Sequence, residues 1–252
     1  GLKIVKPSFN YWANSKRKYK YLICLLKLLR LIINKKNITV FAFQANLYCI
    51  LLCKIFNRKI IIRSNSSPSG WSNNFIKKKI FTSILGLADR IIVNSLDFKK
   101  EFKLKFNINA TCIYNPLNQS EIIKLSKKEV DFPFYKKNKD YLKIITVGRF
   151  TDQKDHLTLL KAINLIHNKL RFKLLIIGRG VNEKKILNYI AKKKLENSVK
   201  ILGFQKNPFK YLKLADLFIL SSKFEGLPNV LLEAASLKKF IISTNCPTGP
   251  KE

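Results

Sequence analysis

The chain has 252 residues with 47% hydrophobic content, enough for one large or two medium α/β domains with buried cores. Lys and Arg number 49 against 15 Asp and Glu, a formal net charge of +34. That excess suits an anionic partner such as nucleic acid, lipid headgroups or a phosphorylated substrate. The basic residues spread along the whole chain, however, as a coding bias toward Lys, Asn, Ile and Phe also produces, so charge alone selects no function. Five cysteines (Cys24, Cys49, Cys53, Cys112 and Cys246) form no disulfide ladder and no CxxC pair, and are expected as small buried hydrophobes in a reducing compartment. The uncharged run from Ile38 to Cys53 falls short of the roughly 20 apolar residues of a membrane span, which predicts a soluble or peripheral protein. The chain opens on Gly1 and stops at Glu252 in what reads as mid-loop, so a piece cut at both ends is expected.

In chain order, short β-branched and aromatic runs are predicted as strands at 2–5, 38–43, 59–64, 90–95 and 111–115. A second set follows at 142–148, 172–178, 199–204, 216–222 and 239–244. Most runs are continuous rather than alternating, as parallel strands covered on both faces require. Helical periods fill the gaps, as at 154–169 and 183–194, so the pattern is α/β with right-handed crossovers. Residues 9–37 predict a core helix with a basic seam of Lys16, Lys20, Lys27, Arg30 and Asn34, and an interfacial tip at Phe9, Tyr11 and Trp12. The stretch 118–140 turns polar and lysine-rich. It is expected to connect two Rossmann-like domains, giving boundaries of 1–118, a linker at 119–140, and 141–252.

Candidate chemistry gathers at the predicted carboxyl ends of the second set, where an α/β sheet presents ligands. "VGRFTDQK" places Gly148 where backbone can approach a ligand, with Arg149 and Lys154 able to meet one anion. "IIGRG" holds Gly178 and Gly180 but lacks the third glycine of a dinucleotide fingerprint; a plain strand-to-helix turn and a nucleotide-facing loop are equally compatible. "FEGLPNVLLEA" sets Glu225 before a helix that Gly226 and Pro228 open, with Leu227 and Asn229 in the turn and Glu233 one turn further in. Such a helix start favours an anion. Helix-dipole stabilisation, about 0.3–1 kcal/mol, explains an acid near a first turn but not the Gly, Leu, Pro and Asn around it.

These motifs, "VGRFTDQKDHLTLLKA", "FEGLPNVLLEA" with its Glu-x7-Glu, and "STNCPTGPKE", occur in the order and spacing of the family-four retaining glycosyltransferases (glycosyl transferases group 1) and resemble them. The resemblance is strong over 141–252 and looser over 38–115, and is most like bacterial enzymes of surface and lipid-linked glycans. It implies a GT-B fold: two Rossmann-like domains with parallel sheets facing across a cleft, the first incomplete and on the acceptor side, the second binding a nucleotide-sugar. It implies that Arg149 and Lys154 neutralise the donor diphosphate, that Glu233 grips the ribose hydroxyls, and that Glu225 with Gly226, Leu227, Pro228 and Asn229 contacts the sugar and distal phosphate. Gly148, Arg149, Lys154, Glu225, Gly226, Leu227, Pro228, Asn229 and Glu233 are thus the expected donor-binding set, with Glu225, Arg149 and Lys154 catalytic.

The implied reaction is retaining transfer from a nucleoside-diphosphate sugar, UDP-linked hexose or N-acetylhexosamine, to a lipid-linked or polysaccharide acceptor. No cofactor and no metal are expected, in keeping with the absence of any D-x-D in the sequence. The expected partners are donor, acceptor and an anionic membrane surface, with no nucleic acid, at the cytoplasmic face of the plasma membrane. Two departures stand out. The family's glycine-rich N-terminal loop is not seen, and the place of a frequent histidine reads "IIIRSNSSPSGW", where Arg63, Asn65 or Ser66 stands instead. The alternative reading is a basic nucleic-acid-binding protein without catalysis; it leaves Glu225 and Glu233 unexplained, since acids repel phosphates.

Overall fold

The computed structural model of the chain describes residues 16–65, 74–135 and 140–252. The expected strand at 2–5, the tip at Phe9, Tyr11 and Trp12, and Ser66 lie outside the described residues. The chain divides into two compact units, Gly1–Val93 with Lys99–Ile113, and Asn94–Phe98 with Tyr114–Glu252.

The first unit carries a parallel sheet of β1 (Thr39–Ala42), β2 (Lys59–Ser64), β3 (Arg90–Val93) and β4 (Thr111–Cys112), in that spatial order. Helix α1 (Arg17–Asn34) packs on α2 (Asn46–Ile55), and α2 on α3 (Phe75–Gly86). In α1 only Ile32 is fully buried among the described side chains, whereas Tyr19, Leu22, Leu26 and Ile33 are exposed and Lys20 and Lys27 half-buried. This corrects the expectation of a largely buried helix; of the seam, Lys16, Arg30 and Asn34 are exposed as expected, and Lys20 and Lys27 are not. Among the described residues α1 packs on α2 with Ile23, Leu25, Leu28 and Leu29 half-buried, and Leu22, Leu26, Leu31 and Ile33 are exposed. Cys49 and Cys53 are buried as expected, but Cys24 is exposed. Arg63 at the end of β2 is held structurally, donating to Asn65 Oδ1 and to the Ile113 carbonyl.

The second unit holds β5 (Leu142–Val147), β6 (Phe172–Ile177), β7 (Val199–Leu202), β8 (Leu217–Leu220) and β9 (Phe240–Ser243), all parallel, in the order β7-β6-β5-β8-β9. The helices are α6 (His156–Ile166), α7 (Glu183–Lys192), α8 (Phe209–Leu214) and α9 (Asn229–Ser236). Alternate residues of the central strands feed two cores. Ile144, Leu174 and Ile176 join Phe150, Leu160 and Ile163 and the α7 residues Ile186 and Ile190. Ile145, Leu175 and Ile177 join Phe218, Leu220, Tyr211, Leu212 and Ala234. This two-sided burial is why the strands read as unbroken apolar runs.

The stretch expected as a linker folds onto this unit. Helix α5 (Gln119–Ser126) packs against α8 and α9. Beyond it Phe132, Phe134 and Tyr135 form an aromatic cluster with Tyr211, and buried Tyr135 donates its hydroxyl to the Ile144 carbonyl. Lysines from neighbouring strands frame these rings: Lys200 of β7 lies 5.6 Å from Phe132 and Lys173 of β6 lies 5.1 Å from Phe134. Among the described residues no helix is long and apolar enough to cross a membrane.

The loops leaving β5 and β6 are zipped together by backbone. Gly148 N–H donates to Ile177 O at 2.9 Å, and Phe150 N–H to Arg179 O at 3.0 Å. A Cβ at Gly178, whose φ is +155°, would stand 1.9 Å from the Gly148 carbonyl oxygen, and one at Gly180 would stand 2.5 Å from that of Phe150. Both glycines of "IIGRG" are therefore accounted for by packing between strands. Gly178→Ala is expected to destabilise the protein by about 3 kcal/mol or more in urea unfolding. Gly86→Ala, where a Cβ meets nothing within 4 Å, is expected to be neutral or up to about 1 kcal/mol stabilising.

Candidate functional site

In the strand order β7-β6-β5-β8-β9, chain direction across the sheet reverses between β5 and β8. The loops from their carboxyl ends part in opposite directions there and leave a crevice. The β5 loop contributes Gly148, Arg149, Gln153 and Lys154; the β8 loop contributes Ser221 to Asn229 and leads into α9.

Lys154 lays its aliphatic stem over Gly148, with the stem carbons 3.5–3.6 Å from where a Cβ would stand. Its ammonium meets Glu225 Oε1 at 2.6 Å, and the two side chains are only 14% and 8% exposed. A pair this enclosed is costly to break on one side, because the survivor becomes a buried uncompensated charge. Three further bonds lash the loops together. Gln153 donates its side-chain amide to Phe224 O at 3.0 Å, Lys223 N–H donates to Gln153 O at 2.8 Å, and Ser221 Oγ donates to Lys154 O at 3.0 Å. The β9 loop closes the back: Glu225 N–H donates to Pro247 O at 3.3 Å, and the Thr248 hydroxyl donates to the Glu225 carbonyl.

The glycine that needs unusual backbone is Gly249, at φ +77°, where a Cβ would stand 1.9 Å from Gly226 O. Gly226, expected to supply that freedom, has no positive φ and is instead the surface Gly249 packs on. Pro228 is the residue just before α9 rather than within its first turn. Asn229 Oδ1 accepts from Asn115 Nδ2 at 2.6 Å, and Leu227 O accepts from the same amide at 3.4 Å. The first-turn N–H groups of α9 thus open directly after a clamped turn.

Glu233 is half-buried in α9 with no hydrogen bond or ion pair among the described residues, and burial raises its carboxyl above the usual range. Arg149 is exposed and likewise has no such partner among the described residues. The Thr151 and Ser222 hydroxyls, from the two facing loops, are buried without hydrogen-bond partners among the described residues. Unpaired polar groups of this kind gather at functional sites. A polar hollow of about 500 Å³ opens elsewhere, against His167, Arg171 and Lys173 at the amino ends of β5 and β6, so hollow size does not mark the crevice.

The structure therefore joins Lys154 directly to Glu225 and puts Arg149 in the Lys154 loop. Sequence reasoning missed Gln153, Ser221, Thr248 and Asn115; Gln153 and Thr248 lay inside quoted motifs, but neutral polar side chains carry no charge signal. His156, which follows the β5 loop, is a core residue: it is 3% exposed and edge-on to Phe150 at 5.1 Å. Its ring starts α6, whose amphipathic face turns it inward beside Leu159 and Leu160.

Residues 127–252 match the glycosyl transferases group 1. An uncharacterised glycosyltransferase of Methanocaldococcus jannaschii is 36% identical over 215 residues, covering 81% of this chain and 53% of the relative. An N-acetylgalactosaminyltransferase of Campylobacter jejuni, named for a diacetylbacillosaminyl-diphospho-undecaprenol-linked acceptor, is 29% identical over 215 residues, covering 81% of this chain and 56% of its own length. Among solved structures, Anabaena HepE with UDP and glucose aligns at TM-score 0.71 and 17% identity, over 92% of this chain and 65% of that one. The fold class is thus that of the GT-B glycosyltransferases. The chain belongs to the glycosyl transferases group 1 family, and it spans about half the length of the curated relatives it matches.

Burial, with a lesser push from Lys154, lowers the His156 imidazole from 6.5 to about 4. Unfolded His156 takes up a proton that the folded core refuses, so its contribution is complete above the unfolded value and is lost as pH falls. Stability should drop by roughly 3 kcal/mol from this group between pH 6.5 and 4. Urea unfolding of wild type and His156→Leu across that range isolates it: the variant should have the shallower dependence.

Proposed function

We propose that the chain carries the donor site of a retaining, metal-independent glycosyltransferase. The enzyme takes a sugar from a nucleoside-diphosphate sugar, UDP-linked hexose or N-acetylhexosamine, to a lipid-linked or polysaccharide acceptor of cell-surface glycan synthesis. The observation that carries this reading is the enclosed Lys154–Glu225 pair at the strand-order reversal, with Arg149 in the same loop and Glu233 in the helix that follows, both without a side-chain partner among the described residues. Cations for a diphosphate and acceptors for hydroxyls lie on one crevice and the helix leaving it. The UDP and glucose of HepE and the polyprenol-linked acceptor in the Campylobacter name support the substrate classes.

In this reaction Arg149 and Lys154 receive the charge that builds on the diphosphate as the anomeric C–O bond breaks, the task a metal performs in other transferases. The α9 start offers N–H groups to the distal phosphate. Glu225 accepts from sugar hydroxyls and Glu233 from the ribose hydroxyls. The acceptor oxygen bonds to the anomeric carbon on the face the phosphate leaves, its proton passes to a leaving phosphate oxygen, and the nucleoside diphosphate departs. The excess of basic residues draws the enzyme to the anionic inner face of the plasma membrane, where a lipid-linked acceptor resides.

UDP- and GDP-sugars offered to the complete protein with lipid-diphosphate acceptors should give transfer with retained anomeric configuration. Arg149→Ala should reduce turnover on the order of 10²-fold or more. Turnover at the wild-type level in that variant would overturn the assignment.

A further inference from the structure

Glu225 is 6% exposed, yet both of its carboxylate oxygens face a donor: Lys154 Nζ at 2.6 Å from one, Gln153 Nε2 at 3.5 Å from the other. Among the described residues the Lys154 ammonium has no other partner. The lysine required for a phosphate is therefore already occupied by a carboxylate. Resting on the donor-site reading above, we propose that donor binding is a counter-ion exchange and that Gln153 is the positioning residue that makes it possible. Phosphate takes Lys154, and Gln153 takes over Glu225.

The exchange has a physical difficulty that Gln153 answers. When the ammonium moves to phosphate, Glu225 is left as an enclosed anion, which is strongly unfavourable without a replacement donor. An arginine or lysine in that role would itself be drawn to the phosphate. A neutral amide is not. Gln153 is also anchored where it is needed, since its carbonyl accepts from Lys223 N–H at 2.8 Å and its amide donates to Phe224 O at 3.0 Å. A shift of about half an ångström turns its 3.5 Å approach to Glu225 into a full hydrogen bond. Glu225 is meanwhile fixed at its own backbone by Pro247 and Thr248, so it stays in place to meet the sugar.

The two residues should then act on nucleotide binding with opposite signs. Charge on Glu225 competes with phosphate for Lys154, whereas Gln153 supports the Glu225 that has been displaced. Its support matters only while that carboxylate is charged, which a merely structural glutamine would not show.

Calorimetric titration of UDP into the complete protein tests both levels. No UDP binding by wild type would defeat the donor-site reading itself. With wild type binding, Glu225→Gln should bind UDP about tenfold more tightly while losing turnover, and Gln153→Met about tenfold more weakly. Added to Glu225→Gln, the Gln153→Met change should have no effect on UDP affinity. Equal losses in both backgrounds, or weaker UDP binding by Glu225→Gln, would overturn the exchange. A readout on wild type serves if a variant does not fold: UDP should shift the Glu225 Cδ and Gln153 Nε2 resonances in labelled protein. Unchanged resonances at saturating UDP would overturn it equally.

Discussion

An ammonium and a carboxylate 2.6 Å apart, both nearly sealed from water, hold the ends of β5 and β8 to one arrangement. Each charge is tolerable only because the other is there. Their meeting depends on a lysine seven residues beyond the last residue of one strand and a glutamate five beyond that of another, so strand register and loop path must both be right. The register is set by two-sided burial of the central strands, and the path by backbone bonds among the loops after β5, β6, β8 and β9. The polar crevice thus inherits its rigidity from an apolar core that has no chemistry of its own.

The strands of the second unit were legible because each is a continuous apolar run, and a run sealed on both faces has little other use. Arg149, Lys154, Glu225 and Glu233 were legible because charge is conspicuous at a strand end or in a helix start. What stayed hidden was contextual. Phe132, Phe134 and Tyr135 sat among lysines, and local composition does not show that Lys173 and Lys200 come from distant strands to lie over their rings. A histidine after a charged loop carries no sign of burial, but the periodicity of α6 puts His156 in the core. The α1 reading assumed that apolar faces find cover, and contact with α2 covers only part. Gln153 and Thr248 act through amide and hydroxyl bonds that span 71 or 72 and 23 positions, and no local pattern announces such partners.

The global and local electrostatics work at different ranges. A formal charge of +34 makes a field that concentrates anions near the molecule, yet salt screens it within about 8–10 Å. Within the crevice, selection falls to fixed short-range partners. There the scarce acids count for more than the abundant bases. In the donor site proposed above, Glu225 and Glu233 are the acceptors for a hydroxyl-rich ligand, and Arg149 and Lys154 the cations for its phosphates.

The backbone zipper between the β5 and β6 loops has a consequence for how such a site can be altered. Gly178 lies against Gly148, and Gly180 against Phe150, with no room for a side-chain carbon at either glycine. The two loops are one interlocked wall rather than two independent ones. Recombining this protein with a relative at a junction between β5 and β6 would pair halves of that wall shaped for different partners. Exchange of the loops as a block keeps the fit, and the β8 loop, bonded to the β5 loop through Glu225, Phe224, Lys223 and Ser221, belongs to that block.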